Sequence, residues 1–222
     1  AIEDDLGNGR QADSYEQRAY QVRDRLPRRE RSFVEGLYYA DRAATVPRAV
    51  EAFKQTLAAY PDHDEAAENL AITYAFLGQF DEADRVLAGT ITRRPADPEV
   101  ALAIASVHLY RGHTAAALAA LKNAPATAAQ IAAELKQPWN APPPDGSDLT
   151  AVDARLDAMV QAGPQHGVAA LAYVRALFEL AEIRDRQGDR AHARQLYARF
   201  AALWKDADVD RDRVAAAEKS GR

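Results

Sequence analysis

Asn69-Leu70-Ala71-Ile72-Thr73-Tyr74, followed by Gly78, Ala83 and Pro95, is the stretch whose reading decides the fold. Leu70, Ala71 and Tyr74 fall on one face of a first helix. Gly78 ends that helix, because glycine accepts the left-handed conformation that a helix C-terminus needs. Asp81 and Glu82 open a second helix, where acidic side chains suit the positive dipole end. Ala83 is small, so the two helices approach closely, and Leu87 fills the space between them. Pro95 stops the second helix, since it has no amide to donate.

The same arrangement recurs outward from this segment with a period of 34 residues: Ala49, Ala83 and Ala117, Pro61 and Pro95, Gly78 and Gly112. A Gly is followed five residues later by Ala at Gly78, Gly112 and Gly188. Four residues after each Ala stands a large side chain, Phe53, Leu87, Leu121 or Tyr197. Helix pairs at a fixed spacing mark a solenoid, in which each unit buries its apolar face against its neighbours.

These residues resemble the tetratricopeptide repeat. The resemblance implies an all-α, right-handed superhelical solenoid of antiparallel helix pairs. Units fall at 30–63, 64–97 and 98–131, with a later one at 174–207. The first unit departs from the pattern at Gly36, where Leu is expected, and at Ala44, where Gly is expected. The third and last units carry Ala129 and Lys205 in place of the closing Pro. These departures bear on loop geometry, not on the helix pairs. Residues 1–29 read as an N-terminal helix or half repeat, with Tyr15, Ala19, Val22 and Leu26 on one face of a helix over 11–26. Residues 132–173 break the phase: a short helix near 126–136 and Trp139 precede Pro142-Pro143-Pro144, a stiff extended connector. A helix near 149–162 follows, with Val152, Leu156 and Val160 on its apolar face, ended by Gly163-Pro164. Residues 208–222 read as a capping helix.

Arg18-Ala19-Tyr20-Gln21-Val22-Arg23-Asp24-Arg25-Leu26-Pro27-Arg28-Arg29-Glu30-Arg31 and Leu203-Trp204-Lys205-Asp206-Ala207-Asp208-Val209-Asp210 are similar to stretches in the C-terminal repeat regions of bacterial eukaryotic-like serine/threonine protein kinases. That resemblance implies an interaction region once attached to a kinase or regulator. The chain itself has no kinase motif: no Gly-rich phosphate loop, no His-Arg-Asp loop and no Asp-Phe-Gly. The expected compartment is the cytoplasm, or outside it if the parent kinase is membrane-anchored. No initiator Met begins the sequence, which points to a chain processed or cut from something longer.

Composition narrows the chemistry. There are no cysteines, which excludes thiol catalysis, cysteine zinc sites and disulfides. A net charge of −5 argues against nucleic acid as the main partner. No apolar run is long enough to cross a membrane. His63, His108, His113, His166 and His192 include no pair at the i, i+4 spacing of helix metal ligands. His108 stands where Tyr74 stands one unit earlier and reads as a packed residue. Asp206, Asp208, Asp210 and Asp212 alternate like a calcium loop, but Arg211 and Ala217 occupy the places of its turn glycine and bidentate Glu. These acids read instead as the opening of the last helix. Arg23, Arg25, Arg28, Arg29 and Arg31 alternate with Asp24 and Glu30 and read as a solvated, partly paired surface. No metal, cofactor or catalytic constellation is expected.

The expected function is a scaffold that binds a protein or peptide through a concave face. Homo-oligomerisation is the alternative, and an enzyme of unrecognised type the more remote one. In the family that the chain resembles, first helices line the groove. That rule selects Arg31, Val34, Tyr38 and Arg42; Glu65, Glu68, Ile72 and Phe76; Glu99, Leu102, Ser106 and Tyr110; and, in the last unit, Arg175, Phe178, Glu182 and Arg186. Asn69 alone matches the family's carboxylate-clamping pattern; Val34, Tyr38, Glu99 and Ala103 stand at its other places. The groove is therefore not expected to clamp a carboxylate; the peptide-binding set is Tyr38, Arg42, Asn69, Ile72, Phe76, Leu102, Ser106 and Tyr110, in which Tyr38, Ile72, Phe76, Leu102 and Tyr110 form an apolar and aromatic strip, rimmed by Arg and Glu, suited to apolar anchors. The alternative is that these side chains pack within the array. The helix contact at Ala83 is directly testable: Ala83→Leu should overpack it and cost about 1–3 kcal/mol in urea unfolding, and an unchanged stability would contradict the placement.

Overall fold

A computed structural model describes residues 17–137, 139 and 149–221. The described residues are all-helical, with an isolated bridge between Arg42 and Ala162 and no strand. Three antiparallel pairs form the first half: α1 (Arg28–Ala40) with α2 (Val46–Ala59), α3 (Asp64–Phe76) with α4 (Phe80–Arg93), and α5 (Pro98–Arg111) with α6 (Thr114–Ala120). They stack in sequence, α2 on α3, α4 on α5, and the first helix α3 on the first helix α5. Ala49, Ala83 and Ala117 have no exposed surface, in keeping with their role as close-approach positions.

Local chemistry sets the boundaries. Gly78, Gly112 and Gly188 all take left-handed backbone angles, with φ of 77°, 76° and 85°. In each case two amides fold back onto the last helical turn: Gly78 to Ala75 and Gln79 to Tyr74, Gly112 to Leu109 and His113 to His108, Gly188 to Asp185 and Asp189 to Arg184. The first unit has no such glycine. There the Thr45 hydroxyl donates to the Tyr39 carbonyl at 2.7 Å, and a 3₁₀ turn at Ala43–Thr45 makes the reversal. Gly36 is explained by packing, because a Cβ there would lie 2.4 Å from the Phe53 ring. The small residue of α1 and the large one of α2 share the volume that Leu70 and Leu87 occupy 34 residues later.

Several boundaries differ from the sequence reading. Residues 17–21 are helical, but a 3₁₀ turn follows at Arg23–Arg25, and Val22 is exposed instead of packed on an apolar face. Tyr15 and the Pro142-Pro143-Pro144 insertion lie outside the described residues. The second helix of the third unit stops at Ala120, and Pro125 opens α7 (Pro125–Lys136). After α8 (Leu149–Gln161), the last pair begins six residues earlier than its period suggests, with α9 (Val168–Arg186), followed by α10 (Arg190–Trp204). The capping helix is α11 (Arg211–Ser220).

The C-terminal half turns back onto the array. α9 packs on α5, α7, α8 and α10, and α10 also reaches α5. Trp204 Nε1 donates to the Leu109 carbonyl at 3.2 Å, and the Asp208 amide to the Gly112 carbonyl at 3.0 Å. The Asp208 carboxylate accepts the amides of Thr114 and Ala115, both at 3.0 Å, and so caps α6. Against the raising effect of burial, those bonds, led by the Ala115 amide, hold the Asp208 carboxyl below its ordinary range. The resulting contact leaves no room at Gly112, where a Cβ would sit 2.5 Å from the Ala207 methyl, whereas nothing lies within 4 Å of one at Gly188. The two glycines thus share a backbone strain but not a neighbour. Gly188→Ala should cost about 1–2 kcal/mol from the left-handed backbone alone. Gly112→Ala should cost about 1–3 kcal/mol more from overpacking. Equal urea-unfolding losses for the two variants would remove Ala207 from the contact.

Candidate interaction surface on the concave face

The first helices α1, α3 and α5 carry the positions selected from the sequence, and part of that set is covered by the chain itself. Ile72, Phe76, Ser106 and Tyr110 are buried, each no more than 1% exposed. α9 covers Phe76 and Tyr110, and the segment ahead of it meets Ser106. The Tyr173 ring lies 5.0 Å from Phe76 and 5.9 Å from Tyr110, and Phe76 meets Tyr110 edge-on at 6.2 Å. From α10 the Arg199 guanidinium stands 4.7 Å over the Phe76 ring. These four side chains therefore do not line an open surface. Within the apolar strip read from the sequence, Phe76 and Tyr110 form a helix–helix contact, because aromatic rings with an apolar helix available bury themselves.

Ahead of α9, residues 163–167 cross the same face as an extended strap. The Gly163 amide donates to the Asp41 carbonyl at 3.1 Å, next to the Arg42–Ala162 bridge. The Gln165 amide donates to the Tyr110 hydroxyl at 2.6 Å, and the Gly167 amide to Ser106 Oγ at 2.8 Å. Ser106 in turn donates to the Leu102 carbonyl at 2.7 Å. Gly163 is required by contact, since a Cβ there would fall 1.5 Å from the Ala40 carbonyl oxygen. Gly167 is required by conformation, with φ of 53°. Burial pushes the Tyr110 phenol far above its ordinary pKa and the Tyr173 phenol up to about 12, so both stay protonated.

The other four expected site residues remain at the surface around this cover. Arg42 is exposed beside Asp41, 3.9 Å away. Tyr38 is half-buried and stacks on Tyr20, with ring centroids 3.8 Å apart. Asn69 is half-buried and donates to the Glu65 carbonyl. Leu102 is half-buried, its Cδ1 3.2 Å from where a Gly167 Cβ would point. Of the remaining groove positions, Glu65 and Glu99 are exposed, while Glu68 is buried beside Arg94 at 3.8 Å. Burial raises the Glu68 carboxyl to about 7, against the lowering effect of Arg94. In the last unit Arg175 and Phe178 are buried, and the Arg175 guanidinium donates to the Glu134 and Leu135 carbonyls at the end of α7.

Sequence reasoning missed the strap and the reach of α9. Two signals stood in the sequence. Gly163 and Gly167 lie four residues apart, which marks irregular backbone between two helices. Ala169 to Leu180 is apolar around most of the helix, the pattern of a helix covered on all sides.

The tetratricopeptide repeat family model matches residues 45–107, from the start of α2 into α5. No curated protein matches the chain. The family match supports a tetratricopeptide repeat protein, and the all-helical array agrees with it. The strap bonds can be checked singly. Tyr110→Phe and Ser106→Ala should each cost about 1–3 kcal/mol, because each strands a backbone donor. Faster amide exchange should be confined to Gln165 in the first variant and Gly167 in the second. Exchange unchanged at those amides would mean that the hydroxyls do not hold them.

Proposed function

We propose that this chain is a non-enzymatic protein–protein interaction scaffold, and that a peptide or protein segment docks on the part of the concave face left open beside the strap. Tetratricopeptide repeats generally mediate protein–protein interaction, and the match over residues 45–107 supports that class for this array. The observation that carries the reading is the strap itself. An extended polypeptide already lies on this face, its amides taken by hydroxyls that the first helices present. The proposed contacts are Tyr38, Arg42, Asn69 and Leu102, which combine an aromatic face, a guanidinium, an amide and an aliphatic edge. Such mixed surfaces anchor a segment by a few apolar side chains and fix its register by polar ones. The two stretches similar to kinase-attached repeat regions favour a finer reading, in which the chain is the interaction part of a larger kinase or regulator.

The test is capture of partners by the full chain and by a variant carrying Tyr38→Ala, Arg42→Glu, Asn69→Ala and Leu102→Ser. Arg42 is exposed and the other three side chains are half-buried, so thermal unfolding of the variant checks that the fold persists. The expected result is that partners cross-linked to the parent, identified by mass spectrometry, are lost with the variant. Retention of every partner by a folded variant would place the binding face elsewhere.

A further inference from the structure

Residues 17–60 carry nine Lys and Arg against five Asp and Glu, a net +4 in a chain whose total is −5. Positive charge gathered on one unit of an acidic protein is an electrostatic feature with a direction. Part of it is committed internally. Arg23 pairs with Glu35 at 3.2 Å, Arg31 donates to the Asp24 carbonyl at 2.9 Å, Arg48 stands 3.9 Å over the Tyr39 ring, and Lys54 pairs with Glu51 at 3.1 Å. Among the described residues, no carboxylate pairs with Arg28 or Arg29.

Arg28 lines a cleft of about 440 Å³ between the start of α1 and the end of α2. Arg28 and Ser32, one turn apart, form one wall, and Gln55 and Tyr60 stand on the other. Arg29 lies over the Tyr60 ring, 5.6 Å from its centroid. The cleft thus holds one guanidinium group, a hydroxyl and an amide, with the Arg29 guanidinium beside it on the lining Tyr60, a set that meets carboxylates with charge-assisted, two-pronged hydrogen bonds. Ala58 and Ala59 also line it, and they carry the last carbonyls of α2. Those carbonyls repel a lone anion. A ligand must therefore engage both guanidinium groups at once, as neighbouring acidic side chains on one segment do. A nucleic acid is disfavoured, because Arg29 already covers the face of the lining Tyr60 on which a base would stack. Nearby acids are Glu30, one residue from Arg29, Asp62, two residues past Tyr60, and Glu51, which Lys54 holds.

We propose that this cleft is a second docking surface of the chain, separate from the concave face, and that it takes an acidic peptide segment through Arg28 and Arg29. The probe is a fluorescein-labelled Glu-rich peptide titrated with the full chain and followed by anisotropy, beside a Lys-rich peptide of equal length. The parent should bind the Glu-rich peptide, more weakly as salt rises, and should not bind the Lys-rich one. Arg28→Ser with Arg29→Ser should weaken binding about tenfold or more, as expected for lost charge-assisted bonds. Arg155→Ser with Arg211→Ser changes the net charge equally at exposed sites elsewhere and should leave binding unchanged. No binding by the parent, or equal loss in the two double variants, overturns the proposal. So does tighter binding of a labelled RNA oligonucleotide or of phosphatidylserine vesicles at the same cleft, since either would name a different class of partner.

Discussion

Helix α9 has to be covered on nearly every side, and that requirement organises the rest of the molecule. Ala170, Leu171, Tyr173, Val174, Ala176, Leu177, Phe178, Leu180, Ala181 and Ile183 are all buried, which leaves no polar stripe along most of its length. Each large apolar side chain among them is worth on the order of 1.5–3 kcal/mol when taken out of water. A helix of this kind cannot lie on a surface. It needs a second helix beside it, which α10 and α8 supply, and a concave platform beneath it, which α3 and α5 supply. The interior curve of a short solenoid is such a platform, so the aromatic residues that line it become core.

Two charged residues of this helix, Arg175 and Glu179, are buried, and the place of Arg175 follows the same logic. Arg175 is buried where α7 ends, and its guanidinium takes the Glu134 and Leu135 carbonyls in the last turn of that helix, where carbonyls run out of intrahelical donors; the Glu134 carbonyl also accepts the Gln137 amide. Trp139 lies between two guanidinium groups, Arg175 at 5.2 Å and Arg213 at 4.3 Å, and donates to Asp210 at 3.0 Å. One tryptophan thereby joins α9, α11 and the turn after α10. Asp208, two residues from Asp210, caps α6 in the other direction. Within the acidic run that resembles a calcium loop, Asp208 and Asp210 are assembly joints, each paired to a donor from a different element. At the outer edge of α9, Arg184 donates to Asp153 at 2.6 Å and to Asp157 at 3.2 Å, and so fastens α8.

For the proposed function, the consequence is that the filled part of the groove offers no open surface to a partner. The strap already satisfies Ser106 and Tyr110. Side chains at its margins keep their capacity for contact, as do those at the ends of the helix pairs. Exposed guanidinium groups there are hydrated and cost little to carry, yet they gain when a partner excludes water around them.

The sequence by itself determined the helix pairs. The 34-residue spacing of Ala49, Ala83 and Ala117 and the glycines at 78, 112 and 188 act through contacts within one unit, over one or two turns. Such contacts are local, so their residue types and spacing are readable without coordinates. It also placed the departures at Gly36 and Ala44, although Phe53 and Thr45 had to be seen in space before they explained them. What only the tertiary structure decided is which face stays open. Ile72, Phe76 and Tyr110 have the same apolar character whether they meet a ligand or another helix of the chain. Nothing in their own spacing separates the two. The answer depends on α9, about 60 residues beyond Tyr110, and on the glycines at 163 and 167 that let the backbone pass close enough to deliver it.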